Sequence, residues 1–441
     1  MGLGGLTKTA VMQAGGELAV PQKIGGLARQ VEFAVTLVDV GGTKEKALVV
    51  GVDREGNLLR DVVLYSEEAK TQKGVKSHYD GLAGLIERVQ ANAGSGVRVL
   101  PIVCVGSPGR FVDGVIQPGS AGNLGTTKHE FDGINPAVEL GNRLPAKVFV
   151  GNDAVAQMGA ALGILLASPE TAAKVKGKKL AYIGPGTGLG GGFARVDSEG
   201  NITFMTDGHI YDILIPGYEH KNEFNFIVDG KKIKARLPVE ALKAEDLLSG
   251  RAVRQIACAL DRAALKDGLK PVFLPILPGF ESFSPREYDR LLDHSNNKEP
   301  VGDLAKHINQ RALVSDTPEA LRARPIAEQI VIFQGLMLGK MIELIHQGRI
   351  AKFDEKTARW PVEDKEDVKG TTDFIIGGSV LNSGRMGKMA LARAREYLKK
   401  VFVVGFTIHH MEDIDLGEEA AYGTYNFAGK EEVKKAIQQA G

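Results

Sequence analysis

The chain has 441 residues, 43% of them hydrophobic and 25% charged, which fits an ordinary globular protein with more than one core. Its 55 Lys and Arg nearly cancel its 54 Asp and Glu, and the net charge of +1 excludes a global electrostatic case for nucleic acid or an anionic membrane surface. Cys104 and Cys258 are too few and too far apart for a disulfide framework and fit a reducing, cytoplasmic setting.

Residues 1–30 read as a Gly-rich N-terminal extension without the apolar core of a secretory signal, and Leu6 stands where myristoylation wants Ser or Thr. No apolar run approaches the roughly 18 residues of a spanning helix. From residue 31 the pattern predicts a buried strand, VEFAVTLVDV, running into Gly41-Gly42-Thr43, with strands EKALVVGV and NLLRDVVLY on either side of an Asp53–Gly56 turn. A helix over 74–93, a strand VRVLPIVCV and a strand at 147–150 follow, then a small-residue helix at 154–166. The pattern restarts with a strand at 180–184, a glycine turn, and strands GGFARV and NITFM, a weak internal duplication. Helices are expected at 239–264, 318–347 and 385–400, with strands FIIGGSV and KVFVVGF between and after the last two. The segment 275–297 reads as an insertion, and 430–440 as a terminal helix.

Asp39-Val40-Gly41-Gly42-Thr43-Lys44 brings a carboxylate to a strand end, and its glycines permit a tight turn whose N–H groups, with the Thr43 hydroxyl, could cradle phosphate. Asp39 could hold Mg²⁺ through water. A plain hairpin turn with an exposed Asp is the alternative. In Gly186-Thr187-Gly188-Leu189-Gly190-Gly191-Gly192 the glycines formally satisfy the dinucleotide fingerprint, but they run into FARVDSEGNITFM, a hairpin rather than a helix. A phosphate-binding hairpin survives that test. Gly151-Asn152-Asp153-Ala154 offers a carboxylate able to take a proton from an attacking hydroxyl, or an ordinary helix N-cap.

The motifs DVGGTK, GSPG (106–109), GNLG (122–125), GNDA (151–154), GTGLGGG (186–192) and IIGG (375–378) occur in the order found in ROK-family bacterial sugar kinases, which this sequence resembles over about residues 34–425. The resemblance implies the α/β, two-lobed actin-like ATPase (ribonuclease H-like) fold with an interlobe cleft. Residues 31–152, joined by helix 430–440, would form the small lobe and 153–429 the large one. It implies ATP-dependent phosphorylation of a hexose such as glucose, with Asp153 as catalytic base. Asn123, Asn152, Asp207, His209 and Glu245 (in an E-x-x-x-S-G context) would hold the sugar. Gly41, Gly42, Thr43, Lys44, Gly186, Thr187, Gly188, Gly377 and Gly378 would hold ATP, and Asp39 Mg²⁺.

The sequence departs from that family at Thr206-Asp207-Gly208-His209, where a Glu usually stands at the Thr206 position. No cysteine lies between 104 and 258, so the family's structural zinc is not expected. Glu219 is another candidate carboxylate. Partners are expected to be a small sugar, no nucleic acid and no membrane, with a homodimer as in relatives. The alternatives are another acceptor (fructose, mannose, an N-acetylhexosamine, a polyol), polyphosphate as donor, and a sugar-sensing regulator. For the regulator, the 30 residues before the first glycine motif look too short and too weakly basic to carry a DNA-binding domain.

Overall fold

The computed structural model describes residues 31–186, 188–205, 210, 213–218, 222–237, 243–277, 304–351, 362–364, 368–381, 384–401, 405–412 and 414–441. Its frame is two five-stranded sheets of the same topology. The first contains β1 (Phe33–Val40), β2 (Lys44–Val52), β3 (Leu58–Lys70), β4 (Arg98–Ser107) and β5 (Lys147–Asn152), in the order β3-β2-β1-β4-β5. The second contains β6 (Lys179–Pro185), β7 (Leu189–Val196), β8 (Ile202–Phe204), β11 (Asp373–Ile376) and β12 (Thr407–His410), in the order β8-β7-β6-β11-β12. In each, a glycine turn makes an antiparallel hairpin, and two later strands join parallel to its first strand. The duplication expected from the sequence is therefore a repeated sheet.

β1 is buried along nearly its whole length, as a strand covered on both faces must be. One face of the first sheet packs Val38, Val40 and Val103 against Tyr79, Leu82, Leu85 and Ile86 of α1 (Val75–Ala91). The other packs Val35, Leu37 and Cys104 against Ala421 and Tyr425 of α7 (Leu416–Ala428) and Val433 and Ile437 of α8 (Lys430–Ala440). In the second sheet Tyr182 and Ile375 meet Met158 and Leu162 of α2 (Asp153–Leu166). Its opposite face packs Ala181 and Ile183 into a large core built with α4 (Gly250–Lys266), α5 (Pro318–His346) and α6 (Gly384–Val401).

The sheets are joined where α2 and α7 cross. α2 leaves the end of β5 and packs on the second sheet, whereas α7 follows β12 and packs on the first. The crossing is backbone on backbone: a Cβ on Gly159 would lie 2.8 Å from the Gly423 carbonyl oxygen, and one on Gly423 would collide with the Ala156 carbonyl.

Several expectations need correction. The helix expected at 239–264 is two helices within the described residues, α3 (Ala244–Leu248) and α4. They break at Ser249, whose hydroxyl accepts the Ala252 N–H at 3.2 Å as the cap of α4. Of KVFVVGF, Lys400 and Val401 end α6 instead of forming a strand, residues 402–404 lie outside the described residues, and the strand that follows is Thr407–His410. A hairpin of β9 (Glu223–Val228) and β10 (Lys231–Arg236) was not anticipated. Its signal was present, since Asp229-Gly230 between alternating strands suits a two-residue turn with both central φ angles positive, here 49° and 80°. The statement that no apolar run is long enough to span also fails for α5, which has 29 residues and a best-window mean hydropathy of 1.2. Of that window 61% is buried inside the protein, so its apolar character serves the core.

The large core also holds Asp261 of α4, 1% exposed. Its carboxylate accepts the backbone N–H groups of Val272 (2.6 Å), Phe273 (3.0 Å) and Leu274 (2.9 Å). Burial pushes its pKa up to about 6 against the opposing pull of those donors. Asp261→Ala is expected to cost about 3 kcal/mol or more of stability, because it strands three buried N–H groups. Urea denaturation monitored by far-UV circular dichroism measures this, and an unchanged midpoint would contradict the role.

Candidate functional site

The site forms where the parallel strands end. Asp39 of β1 is in register with Gly106 of β4, and Gly106 with Gly151 of β5. Gly106 has no side chain where three groups converge: its Cβ would lie 3.1 Å from Thr424 of α7, 3.2 Å from Ala156 of α2 and 3.7 Å from the Asp39 carboxylate. Two residues beyond Gly151 the chain enters α2 at Asp153. The Asn152 side chain caps that helix, accepting N–H groups of Ala154 (2.9 Å) and Val155 (3.3 Å) while donating to the Gly109 carbonyl (2.8 Å). Asn152 thus ties α2 to the GSPG loop and presents Asp153 at the strand ends.

The charge of Asp153 is felt at Asp39. Burial, reinforced by the negative charge of Asp153, pushes the Asp39 carboxyl up to about 7, against Lys46 and Lys44. Asp153 is also held above the ordinary carboxylate range by burial, with the Ala154 N–H at 2.8 Å opposing the shift. A half-buried carboxylate whose surroundings disfavour its charge suits a divalent cation, which would compensate that charge. Among the described residues no three His, Cys, Asp or Glu side chains converge as a metal cage. Mg²⁺ needs none, because it binds through one or two carboxylates plus substrate phosphates and keeps several waters.

The first glycine turn is closed by the Gly41 N–H on the Lys44 carbonyl at 2.8 Å, and the Thr71 hydroxyl donates to the Gly41 carbonyl at 2.7 Å. The Thr43 hydroxyl makes no hydrogen bond among the described residues. Lys44 pairs with Glu68 at 3.2 Å and, more distantly, Glu418 at 4.0 Å, while Lys46 binds Glu418 at 3.1 Å. Gly42 is pressed on the GNLG loop (122–125): its Cβ would lie 3.2 Å from the Asn123 side-chain nitrogen. The exposed Asn123 amide has no hydrogen-bond partner among the described residues.

The second turn is held from three sides. The Gly186 N–H donates to the Gly188 carbonyl (2.8 Å), and the Gly250 N–H at the start of α4 donates to the Gly186 carbonyl (2.7 Å). Gly377 donates to Ile183 (3.1 Å), and Gly378, at φ +78°, lies so close that a Cβ would be 2.5 Å from the Pro185 carbonyl oxygen. At the start of β7, a Cβ on Gly190 would lie 2.8 Å from that of Ala154, so the turn abuts the residue after Asp153. Glu245 is placed against this turn, its carboxylate 2.7 Å from a Cβ on Gly188 and near Lys243 (3.7 Å) and Arg251 (3.8 Å). Thr187, Asp207 and His209, with Thr206 and Glu219, lie outside the described residues.

Sequence reasoning missed Lys73. Its ammonium donates to the Gly42 carbonyl at 2.7 Å and also to the Asn123 carbonyl, joining segments 31 and 50 residues away. No local pattern could have revealed it.

No protein-family model and no curated protein matches the sequence. Among solved structures the chain is similar to a ROK family glucokinase from Streptomyces griseus in complex with glucose and AMPPNP, at 18% identity over 89% of this chain and 97% of that one, TM-score 0.50. It is similar to a glucokinase from Balamuthia mandrillaris in complex with glucose, at 15% identity over 92% and 96%, TM-score 0.51. A ROK family transcriptional regulator, homologue of the E. coli MLC protein, aligns at 12% identity over 92% and 81%, TM-score 0.54. The fold, α/β with two mixed five-stranded sheets, is shared with ROK-family structures, a kinase and a regulator among them.

Proposed function

We propose that this protein is an ATP-dependent sugar kinase that phosphorylates a hexose hydroxyl, with glucose as the first acceptor to test. The observation that carries the reading is the repeated glycine turn, one per sheet, flanking a pair of half-buried carboxylates with raised pKa at the parallel strand ends. Two such turns offer backbone donors to a triphosphate from both sides. Asp153, made more basic by burial, takes the proton of the hydroxyl as its oxygen bonds to the γ-phosphorus and the bond to the β-phosphate oxygen breaks, leaving ADP. The free amide of Asn123, beside Gly42, orients the acceptor next to the phosphate turn. Asp39 would hold Mg²⁺ together with the phosphates, and that ion supplies charge neutralisation to the transferring group. Glu245, Asp207 and His209 are assigned to the acceptor side on the family resemblance, although the Glu245 carboxylate also borders Gly188. Cys104 and Cys258 are buried and free, and burial raises both thiols to about 12, so neither is a nucleophile.

A coupled assay tests the reading, with glucose, mannose, fructose and N-acetylhexosamines as acceptors and ATP or polyphosphate as donor. The expected result is phosphorylation of at least one hexose with ATP, abolished by EDTA and restored by Mg²⁺. Hexose binding without transfer from either donor would instead favour a sensor, as in the regulator that shares the fold.

A further inference from the structure

We infer that Lys73 is a positioning residue that couples the acceptor loop to the first phosphate turn; this rests on the sugar-kinase reading of the site. Four contacts run through the short segment between β3 and α1. The Thr71 N–H donates to the Thr43 carbonyl (3.1 Å) and the Thr71 hydroxyl to the Gly41 carbonyl (2.7 Å). The Lys73 ammonium joins the Gly42 carbonyl (2.7 Å) to that of Asn123. The segment therefore grips the phosphate turn with Thr71 and joins that turn to the acceptor loop through Lys73.

Lys73 is the only one of these groups that touches both halves. Gly42 and Asn123 already meet in van der Waals contact, an approach that a side chain at position 42 would block. Their carbonyls are neighbouring acceptors with partial negative charge, and an ammonium between them holds them together by charge-assisted hydrogen bonds. A Lys side chain loses much rotamer freedom when both bonds form, so the clamp holds best when the loops are already together. Ligands that bring the loops together and Lys73 therefore favour the same arrangement, and hexose and nucleotide bind synergistically through it. Releasing the clamp frees Asn123 to drift from the γ-phosphate, which damages the acceptor KM and lets water compete for the phosphoryl group.

The test compares wild type, Lys73→Met and Lys73→Arg in steady-state kinetics, with ATP and D-glucose or the hexose that the acceptor panel returns in its place. Lys73 is exposed, so neither substitution disturbs a core. In Lys73→Met the hexose KM is expected to rise about 10-fold or more, the worth of a lost charge-assisted hydrogen bond. The tightening of ATP by saturating hexose should disappear, and the ratio of ATP hydrolysed to sugar phosphorylated should increase. Lys73→Arg, which keeps the charge and donors, should recover most of the coupling. An active wild type whose Lys73→Met variant keeps both KM values, the coupling and the hydrolysis ratio within about twofold overturns the inference alone, because the lost bonds would then contribute almost nothing. A wild type that phosphorylates no hexose of the panel overturns the sugar-kinase reading and this inference with it.

Discussion

Asp153→Asn is expected to lower kcat by about 10²–10⁴ while leaving the KM values for ATP and hexose within a few fold, the signature of a lost general base. The substitution removes a proton acceptor and little else. Asparagine can still accept the Ala154 N–H that Asp153 accepts at 2.8 Å, and the cap of α2 belongs to Asn152, which is untouched. The helix therefore starts in the same place, and the substrates meet the same shape. The wild-type pH profile supplies a second check. A base must be ionised to work, so activity falls as pH drops through its pKa. Because burial holds Asp153 above the ordinary carboxylate range, the acidic limb of the kcat profile should lie above that range and vanish in the variant. Near wild-type turnover in Asp153→Asn would remove this residue from the chemistry.

Gly423→Val is expected to destabilise the protein by about 3 kcal/mol and to abolish most activity, because overpacking at a backbone contact cannot be relieved by a side-chain rotation. The new Cβ would overlap the Ala156 carbonyl and lie 2.6 Å from the Ala160 nitrogen, so α2 and α7 must separate. α2 carries Asp153 at its first residue, and α7 supplies Thr424 against Gly106, so separating the helices moves Asp153 away from Asp39. Gly84→Ala in α1 is the control. Its Cβ would meet only the tip of Arg88 at 3.5 Å, and replacing a helical glycine there should be neutral or mildly stabilising. Urea unfolding and the coupled phosphorylation assay on both variants read the difference. Equal stability for the two would show that the helices do not cross as tightly as described.

Local pattern was enough for elements whose burial is written in their composition. VEFAVTLVDV is apolar on both faces and became a central strand, and the small-residue stretch after Asn152 became a helix able to approach another backbone closely. The sequence was misread where two periods compete. KVFVVGF has a strand-like composition, but its first two residues, Lys400 and Val401, are the exposed last residues of α6. The β9–β10 hairpin was legible in Asp229-Gly230 and went unread beside a stretch of charged residues.

By itself, the sequence determined the glycine turns, the carboxylates beside them, and the order in which they occur, because a tight turn demands particular residue types at adjacent positions. It also determined that the two halves repeat, which the matching sheet orders bear out. Only the tertiary structure decided which of those pieces meet. Gly42 lies against Asn123, Gly188 against Glu245, and Gly106 beneath Asp39, all pairings between segments far apart in the chain. It also turned Lys73, an unremarked residue before a helix, into a side chain bonded to both loops. The reason is physical: a turn is specified by dihedral preferences over a few residues, whereas the partner of an exposed ammonium is set by where distant carbonyls come to rest once both sheets and the crossing helices have packed.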